Sequence, residues 1–200
     1  MVNILLRTSN RPKGFNRVIE SLKKQTDQNF NLIVSVDNNE TENYVIASGY
    51  KCKIKKHKWV QRKHPDHNPY NLYVNTLINE VKLGWYIVID DDDIIHDNMV
   101  AAINTFCVND DNVYIFKVGF IGKDIPSYSF GKSITFGDIS SPCIVMNAKN
   151  KSIAKWKPIR GGDFHYINDI VESKKLNVQW VDVKYYTIQT PGGGRREDIK

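Results

Sequence analysis

Two hundred residues, 41% of them hydrophobic, exclude a disordered chain and suffice for one domain, while 28 Lys and Arg against 22 Asp and Glu leave a net charge of +6. Cys52, Cys107 and Cys143 are an odd number without CxxC spacing, which argues against a disulfide framework or structural zinc site and fits a reducing compartment. The amino terminus lacks the charged region of a secretory leader and no run reaches the about 18 apolar residues of a membrane span, so the expectation is a cytoplasmic protein, at most peripheral to a membrane.

In chain order, Val2 to Leu6 is a short apolar run, and after a polar turn containing Asn10 and Pro12 come Phe15, Val18, Ile19 and Leu22 at the spacing of one helix face. Leu32 to Val36 forms a second apolar run that ends in Asp37. Lys51 to Val60 reads as a third strand whose alternate residues are basic. Val74, Leu77, Ile78 and Val81 repeat the helical spacing, Gly84 stops it, and Trp85 to Ile89 is an apolar strand leading straight into Asp90-Asp91-Asp92-Asp93. Met99, Ala102, Ile103 and Phe106 make another helix face, followed by the strand Val113 to Phe116. Strands alternating with helices predict an α/β fold with a mostly parallel central sheet flanked by helices. Beyond Gly119 the pattern loosens. Cys143 to Met146 is apolar, Phe164, Ile167 and Val171 predict a last helix, and Val178 to Ile188 a last strand. No internal repeat breaks the chain, so residues 1–200 read as one domain.

Ligands of open α/β sheets bind beyond the carboxyl ends of the strands, where Asp37 and Asp90 both fall. Four adjacent carboxylates raise one another's pKa unless a cation compensates, and hard oxygen ligands of this kind suit Mg²⁺ or Mn²⁺ with room left for a diphosphate. The plainer alternative is an acidic helix start in which Asp92, Asp93 and Asp97 complement the macrodipole. The basic stretch Lys51 to Lys63 can attract phosphates, or it can be the solvated face of an edge strand. His64 and His67, in a proline-containing loop without cysteines, read as surface residues.

The order of these features resembles the GT-A glycosyltransferases, particularly those of the family 2 type. The matching segments are Leu5-Leu6-Arg7-Thr8-Ser9-Asn10-Arg11-Pro12, Val34 to Asn38, and Ile87 to Asp93. Arg160-Gly161-Gly162-Asp163-Phe164 looks like the family's Glu-Asp segment, which supplies the catalytic base in inverting members. The resemblance implies a nucleotide-sugar-binding part at about 1–118, and an acceptor-side part with a carboxyl-terminal lid at about 119–200. It further implies that Thr8 and Arg11 line the nucleotide pocket, that Asp37 binds the uracil or ribose, and that Asn71, with Asn75 one turn on, faces the donor. Asp90 and Asp91 would contact the donor, and Asp92 would hold the metal, although with four aspartates the register could also place the ion on Asp90 or Asp93. Asp163 would be the base. Gly162 stands where the family more often has Glu, and an Asp at a helix start can also be an ordinary cap. Arg195 and Arg196, after three glycines, would close over the diphosphate, and Gln189 stands where many related enzymes have His.

The resulting expectation is a Mn²⁺- or Mg²⁺-dependent, inverting transfer from a nucleoside-diphosphate sugar, UDP favoured, to a hydroxyl on a glycan or glycoprotein. Nucleotidyl transfer or nucleotide-sugar hydrolysis with the same acidic turn is the second reading. A basic nucleic-acid-binding module ranks last, because the best-defined loop is acidic. The chain reads as one domain that could belong to a longer polypeptide, and its Lys, Asn and Ile usage suggests an AT-rich genome such as that of a large DNA virus, which would place it in a host cytoplasm.

Overall fold

The computed structural model describes residues 1–189 and 198. Its first strand, β1 (Val2–Arg7), is followed by α1 (Pro12–Lys23), whose proline sits where a helix start has no use for an N–H. The apolar stripe of α1, Phe15, Val18, Ile19 and Leu22, is buried as its spacing predicts. Next come β2 (Phe30–Val36), α2 (Asn39–Ala47) and β3 (Lys53–Lys56). The helix α2 was not legible as a periodic stripe, since of its apolar residues only Val45 is buried and Ile46 is 60% exposed. Its start is marked instead by Asn38, whose side-chain oxygen accepts from the Thr41 N–H at 2.8 Å, with Glu40 and Glu42 in the first turn.

The expected strand Lys51 to Val60 is shorter in the structure, covering only Lys53–Lys56 at the sheet edge. Its lysines are paired: Lys53 and Lys55 with Glu80, and Lys56 with Glu42. Lysines on an edge strand also discourage pairing with another chain. The basic stretch thus behaves as a charged sheet edge.

Then follow α3 (Asn71–Glu80), β4 (Trp85–Asp90), the short β5 (Ile94–Ile95) and α4 (Met99–Phe106). The remaining elements are β6 (Asn112–Phe120), β7 (Lys123–Ile125), β8 (Ile144–Asn147), α5 (Gly162–Glu172) and β9 (Asn177–Ile188). The described strands join in the order β3-β2-β1-β4-β8-β6-β9-β5, with β7 beside β6. The block β3-β2-β1-β4 is wholly parallel. Beyond β4 the sheet is mixed: β8 runs antiparallel to both β4 and β6, whereas β6 and β9 are parallel.

This α/β sandwich of sheet and helices is the GT-A architecture the sequence implied, and its order reverses direction between β1 and β4, which is where such sheets form a crevice. Strands β1 and β4 are buried on both faces, and so read as continuous apolar runs. No helix among the described residues is long and apolar enough to cross a membrane.

Candidate active site

Parallel pairing brings the carboxyl ends of β1, β2 and β4 to one edge, with Arg7 in register with both Ser35 and Asp90. A cleft of about 430 Å³ opens there. One wall carries Ser35, Asp37, Asn68, Tyr70 and Tyr73, the floor is the loop Arg7 to Arg11, and Asp90 and Asp92 close the far side.

Asp37 is buried, and its Oδ1 accepts from the Ser9 hydroxyl and the Asn38 amide, both at 2.8 Å. Thr8 is also buried, its hydroxyl 2.5 Å from the Tyr44 hydroxyl supplied by α2. Tyr73 stacks on His57 with ring centres 4.3 Å apart. This end of the cleft is therefore aromatic and narrow, with one fixed carboxylate.

The four aspartates do not act alike, because they have different partners. Asp90 and Asp92 border the cleft, Asp92 being buried there like its two neighbours, whereas Asp91 pairs with Arg11 and Asp93 bonds Gln189 and Tyr186. Asp90 is clamped by Arg7 through two bonds of 2.9 Å, Nε to Oδ1 and Nη2 to Oδ2. Arg11 lies 2.8 Å from Asp91 and 3.6 Å from Asp92. Burial pushes the Asp91 carboxyl up to about 7 against the opposing pull of Arg11 and Thr8. Asp93 goes up to about 8, through burial and then the charges of Asp90 and Asp92. Its Oδ1 accepts from the Gln189 N–H at 2.9 Å and its Oδ2 from the Tyr186 hydroxyl at 3.1 Å, so it ties the end of β9 to the acidic turn. Of the residues weighed for the ion, Asp92 and Asp90 thus border the cleft and Asp93 bonds the end of β9.

The chemistry of the donor set can be tested against a divalent ion. Among the described residues no group of three or more His, Cys, Asp or Glu forms a metal cage. Two carboxylates bordering the cleft still fit Mg²⁺ or Mn²⁺, which characteristically takes one or two carboxylates and completes its shell with phosphate oxygens and water. The site fits an ion brought together with a diphosphate rather than one held by protein alone.

Asp163 lies in the first turn of α5 and is half-buried. Gly161, with φ of 67°, occupies the position before the helix, and no side chain caps it. Asp163 Oδ1 accepts from the adjacent Phe164 N–H, at 2.9 Å, and the N-cap position belongs to Gly161. Burial raises its pKa, and the nearby Arg7 charge counters part of the rise. The departure at Gly162 has a steric cause. A Cβ there would come 2.1 Å from Asn71 Nδ2. Asn71 is buried and donates that amide to the carbonyls of Lys157 and Ile159, both at 3.0 Å, while its Oδ1 accepts from Arg7 Nη1 at 3.3 Å. Asn71 therefore bridges the two sides of the site rather than opening toward a donor. Asn75 does the same for Trp156, whose N–H it accepts at 2.9 Å.

Arg7 was not singled out from sequence, although a lone arginine ending an apolar strand, opposite an aspartate ending another, is a legible signal. Ser9 and Tyr186 were also missed. Their roles depend on contacts 28 and 93 residues apart in the chain. Arg195 and Arg196 lie outside the described residues.

The model of glycosyl transferase family 2 matches residues 4–168, which span the cleft, the acidic turn and Asp163. The chain belongs to glycosyl transferase family 2. No curated protein sequence matches it. Among solved structures, it resembles S. aureus TarS in complex with UDP-GlcNAc, at 17% identity and a TM-score of 0.68, over 96% of this chain and 59% of that one. It also resembles glucosyl-3-phosphoglycerate synthase from Mycobacterium tuberculosis in complex with Mn²⁺, UDP-Glc and phosphoglyceric acid. There identity is 12% and the TM-score 0.66, over 96% of this family 2 chain and 73% of that one. At such identities the likeness is one of fold, and the chain spans about three fifths of the TarS 1–349 segment and 36% of the longer TarS chain. Nothing in these likenesses bears on a viral source.

Proposed function

We propose that this family 2 chain transfers a sugar from a nucleoside-diphosphate sugar, UDP-sugar favoured, to a hydroxyl of a glycan or glycoprotein, with inversion and with dependence on Mn²⁺ or Mg²⁺. The observation that carries the reading is the single cleft at the β1/β4 reversal, which sets Asp37 at one end and Asp90 with Asp92 at the other. The Arg7 charge that clamps Asp90 also acts on Asp163, opposing part of the rise in its pKa. The complexes of the two fold relatives, with UDP-GlcNAc in one and with Mn²⁺ and UDP-Glc in the other, support the donor class.

In this reading the Asp37 carboxylate receives the base or ribose, leaving its Ser9 and Asn38 bonds in place. The aromatic wall of Tyr70 and Tyr73 excludes water from the base. Asp92, with Asp90 beside it, would hold the ion that, when bound, stabilises the leaving diphosphate. Arg7 keeps Asp90 in place and supplies positive charge near Asp163. Asp163 takes the proton of the acceptor hydroxyl as its oxygen attacks the anomeric carbon opposite the departing diphosphate. Burial raises its pKa above the ordinary carboxylate value, which strengthens it as a general base. Arg195 and Arg196 belong to this proposal as phosphate contacts by resemblance alone.

The decisive measurement is thermal stabilisation by UDP, GDP, dTDP and CDP, each with Mn²⁺ and with EDTA, followed by transfer assays with the stabilising carrier's sugars. One nucleotide should stabilise, and only with the ion. Equal stabilisation in EDTA would remove metal dependence, and no stabilisation by any of the four would remove the donor reading.

A further inference from the structure

The loop between β7 and β8 presents an aromatic ring at the start of α5 that the donor cleft does not use. Phe136 is 54% exposed, an unusual position for a phenyl ring flanked by Thr135 and Gly137. Its placement is nonetheless well determined. The ring lies against Gly161, where a Cβ would come within 2.4 Å of a ring carbon, so this glycine is needed for the contact as well as for its φ of 67°. Phe164 meets it edge-on at 5.4 Å between ring centres, and the His165 ring is 6.5 Å away. Two residues after the ring, the buried Asp138 anchors the loop by accepting from the Ser127 N–H and hydroxyl, at 3.0 and 2.8 Å, and from those of Ser129, at 3.2 and 2.7 Å. These charge-assisted bonds hold a segment with no regular structure in one conformation.

We propose that Phe136 is a stacking platform for a pyranose ring of the acceptor, set beside Asp163. The inference rests on the glycosyl-transfer reading of that carboxylate. A pyranose has an apolar face of C–H groups and a rim of hydroxyls, so it packs flat on an isolated aromatic ring and directs its hydroxyls sideways. Polar groups belong to the same helix start that the ring lies against: the His165 ring is 6.5 Å from it, the exposed Arg160 adjoins Gly161 in the chain, and Asp163 follows two residues along. Two rings, Phe136 with Phe164 edge-on to it, make too small an apolar surface for a peptide or acyl chain, which would call for a larger contiguous apolar patch, and match the face of a sugar better. Stacking on Phe136 would place an acceptor on the α5 side of the site and the donor on the β1/β4 side, with Asp163 between them.

Saturation-transfer NMR tests this with methyl β-glucopyranoside, methyl β-galactopyranoside and methyl N-acetyl-β-glucosaminide, each with and without UDP, and ribitol as a polyol without a ring face. At least one glycoside should receive saturation at its ring C–H protons while ribitol does not. Phe136→Leu, which keeps an apolar group against Gly161, should weaken that glycoside about tenfold. Phe136→Tyr should retain it. No glycoside signal in the unmodified protein, equal signal in Phe136→Leu, or loss in a folded Phe136→Tyr overturns the proposal. Should Phe136→Leu not fold, Phe136→Trp replaces it: its wider face must hold or strengthen the signal, and a loss overturns the platform. The UDP signal is read separately in the same spectra, so a failure of UDP to bind counts against the donor reading while the glycoside signals still decide on Phe136.

Discussion

Up to about Val118 the chain presents its site residues from the ends of parallel strands, whereas beyond it they come from loops and one helix start. The first arrangement is set by ladder register: once β1 pairs with β2 and β4, Arg7, Ser35 and Asp90 have no other place to be. The second depends on individual polar contacts, such as Asp138 with its two serines, or Asn71 reaching carbonyls at Lys157 and Ile159. A strand-end site tolerates a changed side chain without moving its neighbours. A loop-built site moves when one anchor is lost, which is where specificity for an acceptor can vary without disturbing the donor cleft.

Asp163→Asn separates the two sides most sharply. If Asp163 is the base, transfer should fall about 10²-fold or more while UDP and Mn²⁺ affinities by calorimetry stay within about twofold. The acidic limb of kcat/KM should lie above the ordinary carboxylate range, because burial raises the folded pKa, and should vanish in the variant. An Asn variant with unaltered rate, or a product that retains the donor's configuration, would dismiss the base assignment.

Next in size is the difference within the acidic turn. Asp92→Asn should abolish the Mn²⁺-dependent stabilisation by UDP, a loss of about tenfold or more in UDP affinity with the ion present, with the fold intact. Asp93→Asn should leave it in place, since that side chain faces Tyr186 and Gln189. The reverse result would put the ion on the wrong side of the turn for this geometry.

Gly162→Ala probes the bridge between the two sides. A Cβ would displace the Asn71 amide from its carbonyl partners, and the melting temperature should drop by about 5 °C, within the range of about 1–3 kcal/mol for an unsatisfied buried polar group. A variant as stable as the unmodified chain would show that Asn71 is not structural. Asp37→Ala acts on one wall alone: UDP should bind about tenfold more weakly with Mn²⁺ affinity unchanged.

A last effect is a pH slope in the metal-free protein. Asp93 is held protonated up to about pH 8 in the folded state, against 3.8 as its ordinary value. The folded state thus binds the extra proton between those values, and stability in EDTA should fall as pH rises from about 4 to 8, then level off. Asp93→Asn should make that slope shallower and leave the part that Asp91, raised to about 7, contributes below that pH, as read by melting temperature at intervals of one pH unit. An unchanged slope would mean that another group carries it.

What the sequence by itself determined was everything governed by short-range pattern. The apolar runs of β1, β2 and β4 and the stripes of α1 and α3 were legible because their burial repeats at the period of the element. The positions of Asp37 and Asp90 followed from those runs, since a charged residue directly after a fully buried strand marks its end. The order of motifs was enough to reach family 2 and the GT-A fold. Tertiary structure alone decided which partner each aspartate of the turn meets, because Tyr186, Arg11 and Gln189 arrive from distant positions. It alone showed why Gly162 has no side chain, since the space is filled by Asn71 from a helix 91 residues earlier in the chain. The same holds for Phe136, whose exposure and support come from Gly161 and Asp138 and leave no trace in local hydrophobic periodicity.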